Sequence, residues 1–173
     1  MLIRHATRSD LDLLAQIEAA AASLYVELFG PTGWGSPPTG RARAQAPGFL
    51  LVAADGEEGA PYGFAHVLEV ERQAHLEQVS VHPDHQRVGV GSALVAAAGR
   101  EAAARGHREL TLMTYLEVPW NAPLYARLGF APIEPRNRFE HELARIERRL
   151  GLEEHGPRVL MVASATREGV TSE

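Results

Sequence analysis

The chain has 173 residues, 45% hydrophobic and 23% charged, with a formal net charge of −5 and no cysteine. That length suits a single domain spanning 1–173, with enough apolar content to build a core. A disulfide framework and a covalent cysteine mechanism are excluded, and no run of like charge is long enough to suggest nucleic-acid binding.

Leu2 to Ala6 reads as a short first strand. The opening Met1-Leu2-Ile3-Arg4-His5 lacks the long apolar stretch of a signal peptide. No apolar run approaches the roughly eighteen residues needed to span a bilayer, so a cytoplasmic protein without a membrane partner is expected. Ser9 offers an N-cap oxygen and Asp12 a first-turn acid to a helix. Its apolar face is Leu14, Ile17, Ala21, Leu24 and Leu28, at spacings of three and four. Gly30 and Pro31 end it. A long loop follows to Gly48, with a helical turn near Arg41 to Gln45; Trp34 in this loop either lines a pocket or seals the core edge.

Phe49 to Ala54, closed by Asp55-Gly56, reads as a strand, as do Tyr62 to Glu71 and Ala74 to Val81; together they suggest an antiparallel meander. An alanine-rich helix, Ser92 to Arg105, buries Leu94, Val95, Ala98 and Ala102, with Gly106 as a plausible C′ residue. Glu109 to Thr114 is another strand. Asn121 can cap a helix carrying Tyr125, and Gly129 can stop it. Phe139 to Leu150 is a charged helix, most simply a solvated amphipathic face, and Arg158 to Ser164 a last strand. The tail beyond Ala165 looks frayed. A meander joined to βαβ connections implies a mixed sheet and an α/β (α+β) class.

The segment Gln86-Arg87-Val88-Gly89-Val90-Gly91-Ser92 lies between a strand and a helix N-terminus. Backbone N–H groups in such a turn can hold a pyrophosphate, and the two glycines let the phosphate oxygens approach closely. The Arg87 guanidinium, with the N–H groups from Val88 to Ser92, can complete the grip. A P-loop is excluded because the turn has no lysine. A dinucleotide fingerprint fails because its third small position is Leu94. The stretch Val81-His82-Pro83-Asp84-His85-Gln86-Arg87-Val88-Gly89-Val90-Gly91 instead resembles the acetyl-CoA loop of the GNAT superfamily of N-acetyltransferases. Pro119-Trp120-Asn121-Ala122-Pro123-Leu124-Tyr125-Ala126-Arg127-Leu128-Gly129-Phe130 resembles a second block of that family.

This resemblance implies a mixed, mostly antiparallel central sheet, flanked by helices and splayed between His75–Val81 and Glu109–Thr114. It implies acetyl-CoA as co-substrate, with the pantetheine arm pairing to the backbone of Val79 and Val81 like an added strand. Gln86, Arg87, Val88, Gly89, Val90, Gly91 and Ser92 would then hold the pyrophosphate, and Asn121 would be a further hydrogen-bond partner of CoA. Tyr125 would donate to the CoA sulfur. A thiol titrates near 8.5 and a tyrosine near 10, so Tyr125 is better suited to orienting the thioester than to serving as an indispensable acid.

Acetyl transfer also needs a group that removes a proton from the amine. Alternation along the strand puts His75, Glu77, Val79 and Val81 on one face, so two ionisable groups share a face with apolar residues. The resemblance places acid–base groups at these positions, and either His75 or Glu77 fits. His82 and His85 flank Pro83-Asp84 with no third ligand in register, so no metal site is expected. With no obvious activated nucleophile, direct attack by a primary amine in a ternary complex is the expected reaction. The alternatives are transfer from a different acyl-CoA, or an acyl-CoA-binding sensor without turnover. The acceptor, a small-molecule or peptide amine, is not legible; homodimers are common in the resembling family.

Overall fold

Seven strands and six helices are found among the described residues, 1–165, of the computed structural model. The tail expected to fray lies outside the described residues. Strands β1 (Leu2–His5), β2 (Gly48–Ala54), β3 (Pro61–Val70), β4 (Gln73–Val81), β5 (Glu109–Tyr115), β6 (Ala131–Ile133) and β7 (Arg158–Ser164) form a mixed-class, mostly antiparallel sheet. Its strand order is β1-β2-β3-β4-β5-β7-β6. The helices are α1 (Leu11–Ala21), α2 (Ser23–Phe29), α3 (Gly40–Gln45), α4 (Val90–Ala104), α5 (Ala122–Arg127) and α6 (Arg138–Arg149). The chain divides into two compact units, residues 1–69 with 76–98, and residues 70–75 with those from 99 onward.

In the first unit, Leu14 and Ile17 of α1 pack with Leu50 and Val52 of β2 and Phe64 of β3. Every residue from Phe49 to Ala54 is buried. A strand covered on both faces reads as a continuous apolar run, which is what this segment shows. The expected Ser9 cap is not used. The N-cap position falls on Asp10, whose carboxylate turns back to accept from the Thr7 N–H and hydroxyl at 2.7 Å each, and from Arg4 at 2.6 Å. The single long helix expected up to Leu28 is broken at Ala22. There the Ser23 hydroxyl donates to the Ala20 carbonyl at 2.8 Å, a local bond that competes with the helical ladder.

In the second unit, β5 pairs antiparallel with β7, setting Leu110 opposite Ala163 and Leu112 opposite Met161. β6 was not foreseen. It is three residues long, contains Pro132 and, among the described residues, pairs with β7. A proline without an N–H is tolerated at such a sheet edge. The α6 helix is more than a solvated face. Glu140 is fully buried, accepting from the Arg136 backbone N–H at 2.6 Å and from its guanidinium at 3.0 Å. Glu147 receives a two-pronged grip from Arg158, at 2.7 and 2.8 Å. These paired charges help fix α6 in place.

Candidate active site

The turn after β4 is built by its own side chains. A single 3-10 turn, Pro83–His85, lifts the chain off the strand. The Gln86 side-chain amide then donates to the Val81 carbonyl at 2.8 Å, tying the turn back to the strand end. Gln86 therefore braces the turn. The His85 ring stacks on Tyr62, with centroids 4.1 Å apart and planes 7° apart, and supports it from beneath.

Arg87 (φ 62°) and Gly89 (φ 90°) both adopt left-handed backbone conformations. Two such residues, one apart, make successive N–H groups converge into an anion-binding concavity. Nothing lies within 4 Å of where a Cβ on Gly89 would stand, so glycine is needed there for its backbone angle. Gly91 differs. It sits in the first turn of α4 with ordinary helical backbone, and a Cβ there would meet only a Val81 methyl, at 3.8 Å. Its value is open space in front of the helix end. The helical ladder starts with the Ala93 N–H donating to the Gly89 carbonyl at 3.0 Å. The N–H groups of Val90, Gly91 and Ser92 thus precede it, where an anion is favoured. Arg87 and Val88 are exposed, whereas the Val90 side chain is buried and anchors the helix start.

Along β4 the two candidate bases are in different surroundings. Glu77 is exposed; Val79 is half-buried and Val81 buried. His75 is 2% exposed, and its Nδ1 lies 2.9 Å from the Thr111 hydroxyl. The same hydroxyl lies 3.3 Å from the Ala74 carbonyl, so it bridges the ring and the strand backbone. The ring meets Phe139 edge-on at 5.3 Å. Burial pushes the His75 pKa down to about 4, against a smaller raising effect of Glu140.

The second motif places its residues within the second unit. Asn121 occupies the N-cap position of α5 and its carbonyl accepts the Tyr125 N–H at 3.0 Å, but its side chain makes no cap hydrogen bond. The expected side-chain cap is therefore corrected, because φ −111° and ψ −115° do not aim the amide at the helix N–H groups. At the other end the Phe130 N–H donates to the Tyr125 carbonyl at 3.0 Å, and the Gly129 N–H to the Ala126 carbonyl at 3.1 Å. With Gly129 at φ 89° this is a Schellman ending. Phe130 is buried, and its ring meets that of half-buried Tyr125 at 5.7 Å and 66°.

One polar cluster went unread in the sequence. Buried Arg43 of α3 donates to Glu18 of α1 at 2.5 Å and to His66 Nδ1 at 3.2 Å, beneath the Phe64 ring. Burial lowers the His66 pKa to about 4, and the Arg43 charge pushes the same way against a smaller raising effect of a backbone hydrogen bond to Arg43. Trp34 stands edge-on to Tyr25 at 5.3 Å, and Tyr25 stacks on Phe29 at 6.0 Å. Among the described residues no group of three His, Cys, Asp or Glu is placed to hold a metal. No helix there is long and apolar enough to cross a membrane.

The mostly antiparallel sheet, the braced glycine turn before α4 and the helix ended by Gly129-Phe130 are the features to compare with known proteins. Residues 46–132 match the family model described as the acetyltransferase (GNAT) domain, and the chain belongs to that family. The fold is shared with solved structures of low identity. The ribosomal-protein-S18-alanine N-acetyltransferase of Escherichia coli is 21% identical, covering 99% of this chain and 98% of its own, with a TM-score of 0.63. A GNAT-family acetyltransferase of Staphylococcus aureus is 13% identical over 95% and 99%, with a TM-score of 0.67. The PaiA N-acetyltransferase of Thermoplasma acidophilum, solved in complex with coenzyme A, is 16% identical over 94% and 98%, with a TM-score of 0.63.

Proposed function

We propose that the chain, acting as one catalytic domain, moves an acetyl group from acetyl-CoA to a primary amine by direct attack. The observation that carries this is the turn from Gln86 to Ser92, with Arg87 and Gly89 left-handed and the leading N–H groups of α4 beyond them. The pyrophosphate would sit on the N–H groups from Val88 to Ser92, with the exposed Arg87 guanidinium as counter-charge. The backbone of Val79 and Val81 would hold the pantetheine amides, and Asn121 would add a further hydrogen bond. The coenzyme A bound by the Thermoplasma acidophilum enzyme of the same fold supports this choice of co-substrate.

In the reaction the amine nitrogen forms a bond to the thioester carbonyl carbon, and the C–S bond breaks. The amine gives up a proton and the departing thiolate gains one. Glu77 is favoured as the group that takes the amine proton, because it is exposed on β4 while His75 is enclosed by Thr111 and Phe139. His75 then serves to position the strand. Tyr125, its ring set by Phe130, would hydrogen-bond the sulfur. The test is an acceptor screen that follows thiol release from acetyl-CoA over an amine library, with the acetylated amine identified by mass. Thiol release matched by N-acetylated product supports the reading; tight acetyl-CoA binding with no amine consumed would replace it by a sensor.

A further inference from the structure

Three arginines gather around the β3–β4 hairpin, within the second unit. The β3–β4 hairpin turns through Glu71 (φ 50°) and Arg72 (φ 70°), both left-handed. Such two-residue turns favour Asn-Gly, and a residue with a Cβ there costs about 1 kcal/mol. The α4–β5 turn comes through Gly106, His107 and Arg108, and the His107 Nδ1–H donates to the Arg72 carbonyl at 3.3 Å. Between these turns and Arg136-Asn137 lies a cavity of about 590 Å³. That is within the range of small-molecule sites, roughly 300–1,000 Å³.

The charges lining this cavity are unevenly matched. Three arginines, Arg72, Arg108 and Arg136, face one carboxylate, Glu109. Arg136 is committed: its guanidinium reaches Glu109 at 3.0 Å and Glu140 at 3.0 Å. Asn137 is also committed, accepting from the Glu140 N–H and donating to Gln73. Arg72 and Arg108 are exposed, and neither has a carboxylate within ion-pair distance among the described residues. This concentration of positive charge stands on a chain of net charge −5 whose seventeen basic residues are all arginine. Planar guanidinium forks match the oxygens of a phosphate two at a time.

We propose that this cavity binds a small phosphate-bearing anion, gripped by Arg72 and Arg108 with Arg136 as a fixed wall. Its lining shares no residue with the Gln86–Ser92 turn, and the proposal does not depend on the acetyl-transfer reading. Inorganic pyrophosphate is the probe, titrated calorimetrically in a phosphate-free buffer. The protein used carries Gly91→Val, which fills the space before α4 and takes the phosphate turn out of the measurement. This protein should bind pyrophosphate at one site. Adding Arg72→Gln and Arg108→Gln should weaken binding at least tenfold, with the thermal melt unchanged. Arg145→Gln, which removes an exposed arginine paired with Glu142 on α6, should leave it as it was. Absence of binding to the Gly91→Val protein at millimolar pyrophosphate would overturn the proposal. So would equal affinity after both cavity arginines are removed.

Discussion

The Phe130 N–H donates to the Tyr125 carbonyl at 3.0 Å while the two rings meet edge to face at 5.7 Å, so one residue fixes both the backbone and the ring of the other. This gives the Tyr-x-x-x-Gly-Phe spacing a physical meaning. Gly129 provides the left-handed residue that ends the helix, and Phe130 returns to pack on the tyrosine one turn earlier. Tyr125→Phe keeps this packing and deletes one hydroxyl. It should lower kcat by about ten- to a thousandfold, with a smaller change in acetyl-CoA affinity. Phe130→Leu keeps the hydroxyl and loosens the ring. It should lower kcat less and cost about 1 kcal/mol of stability in urea titration. Unchanged kcat in Tyr125→Phe would leave Tyr125 a packing residue only.

The two turn glycines should fail for different reasons. Gly91→Val puts bulk where the phosphate is proposed to lie, at a position whose backbone accepts any residue. Acetyl-CoA affinity should fall at least tenfold, about 1.4 kcal/mol, with an unchanged melting temperature. Gly89→Val forces a branched side chain to φ 90° and should cost affinity and about 1–2 kcal/mol of stability together. Calorimetry with acetyl-CoA and a thermal melt separate the two. Wild-type affinity in Gly91→Val would remove this turn from the cofactor site.

Much of this was legible in the sequence because turn and cap chemistry is local. The strand–turn–helix around Gly89 and Gly91 and the helix stopped by Gly129 stand within a residue or two of where their sequences put them. The environment of His75 was not legible. Alternation along a strand pairs His75 with Glu77, but burial depends on what covers the strand, and Phe139 and Thr111 come from distant segments. The Glu18–Arg43–His66 cluster was hidden for the same reason, since its three residues lie on α1, α3 and β3. One further signal is local. Asn137-x-x-Glu140 has the spacing of a capping box, and the Asn137 side chain does accept the Glu140 N–H at 3.0 Å.

Acid should destabilise the protein in two stages. His75 and His66 titrate near 4 when folded, against 6.5 for a free imidazole, in each case chiefly through burial. The unfolded chain therefore binds protons first. Their contribution is complete above pH 6.5 and is lost as pH falls to about 4, roughly 3 kcal/mol for each. Burial raises the Asp10 pKa, but the Arg4 and Thr7 hydrogen bonds outweigh it and hold it at about 2. That contribution is complete above pH 4 and is lost between 4 and 2. Urea titrations at pH 7, 5 and 4 should show the first loss, and His75→Gln should remove about half of it. A pH-independent stability between 7 and 4 would contradict the buried neutral state of both rings.

Arg43→Met should be among the most damaging single changes in the first unit, at about 3–5 kcal/mol, because it strands the Glu18 carboxylate and the His66 ring nitrogen. Adding Glu18→Gln should recover part of the loss. Equal stability of wild type and Arg43→Met, by urea titration, would mean the cluster is solvated.

The most direct measurement is the pH dependence of kcat/KM for acetyl transfer to an amine found in the acceptor screen, in wild type, Glu77→Gln and His75→Gln. Glu77→Gln should lose most at neutral pH, where the acceptor arrives protonated, and recover part of the loss as rising pH supplies free amine. His75→Gln should keep the wild-type shape, with no limb near 6.5 removed, because its ring is buried and neutral throughout. The contradictory result is a profile in which Glu77→Gln matches wild type from pH 6 to 9, or in which an acid limb near 6.5 vanishes with His75. Either would take the base off Glu77.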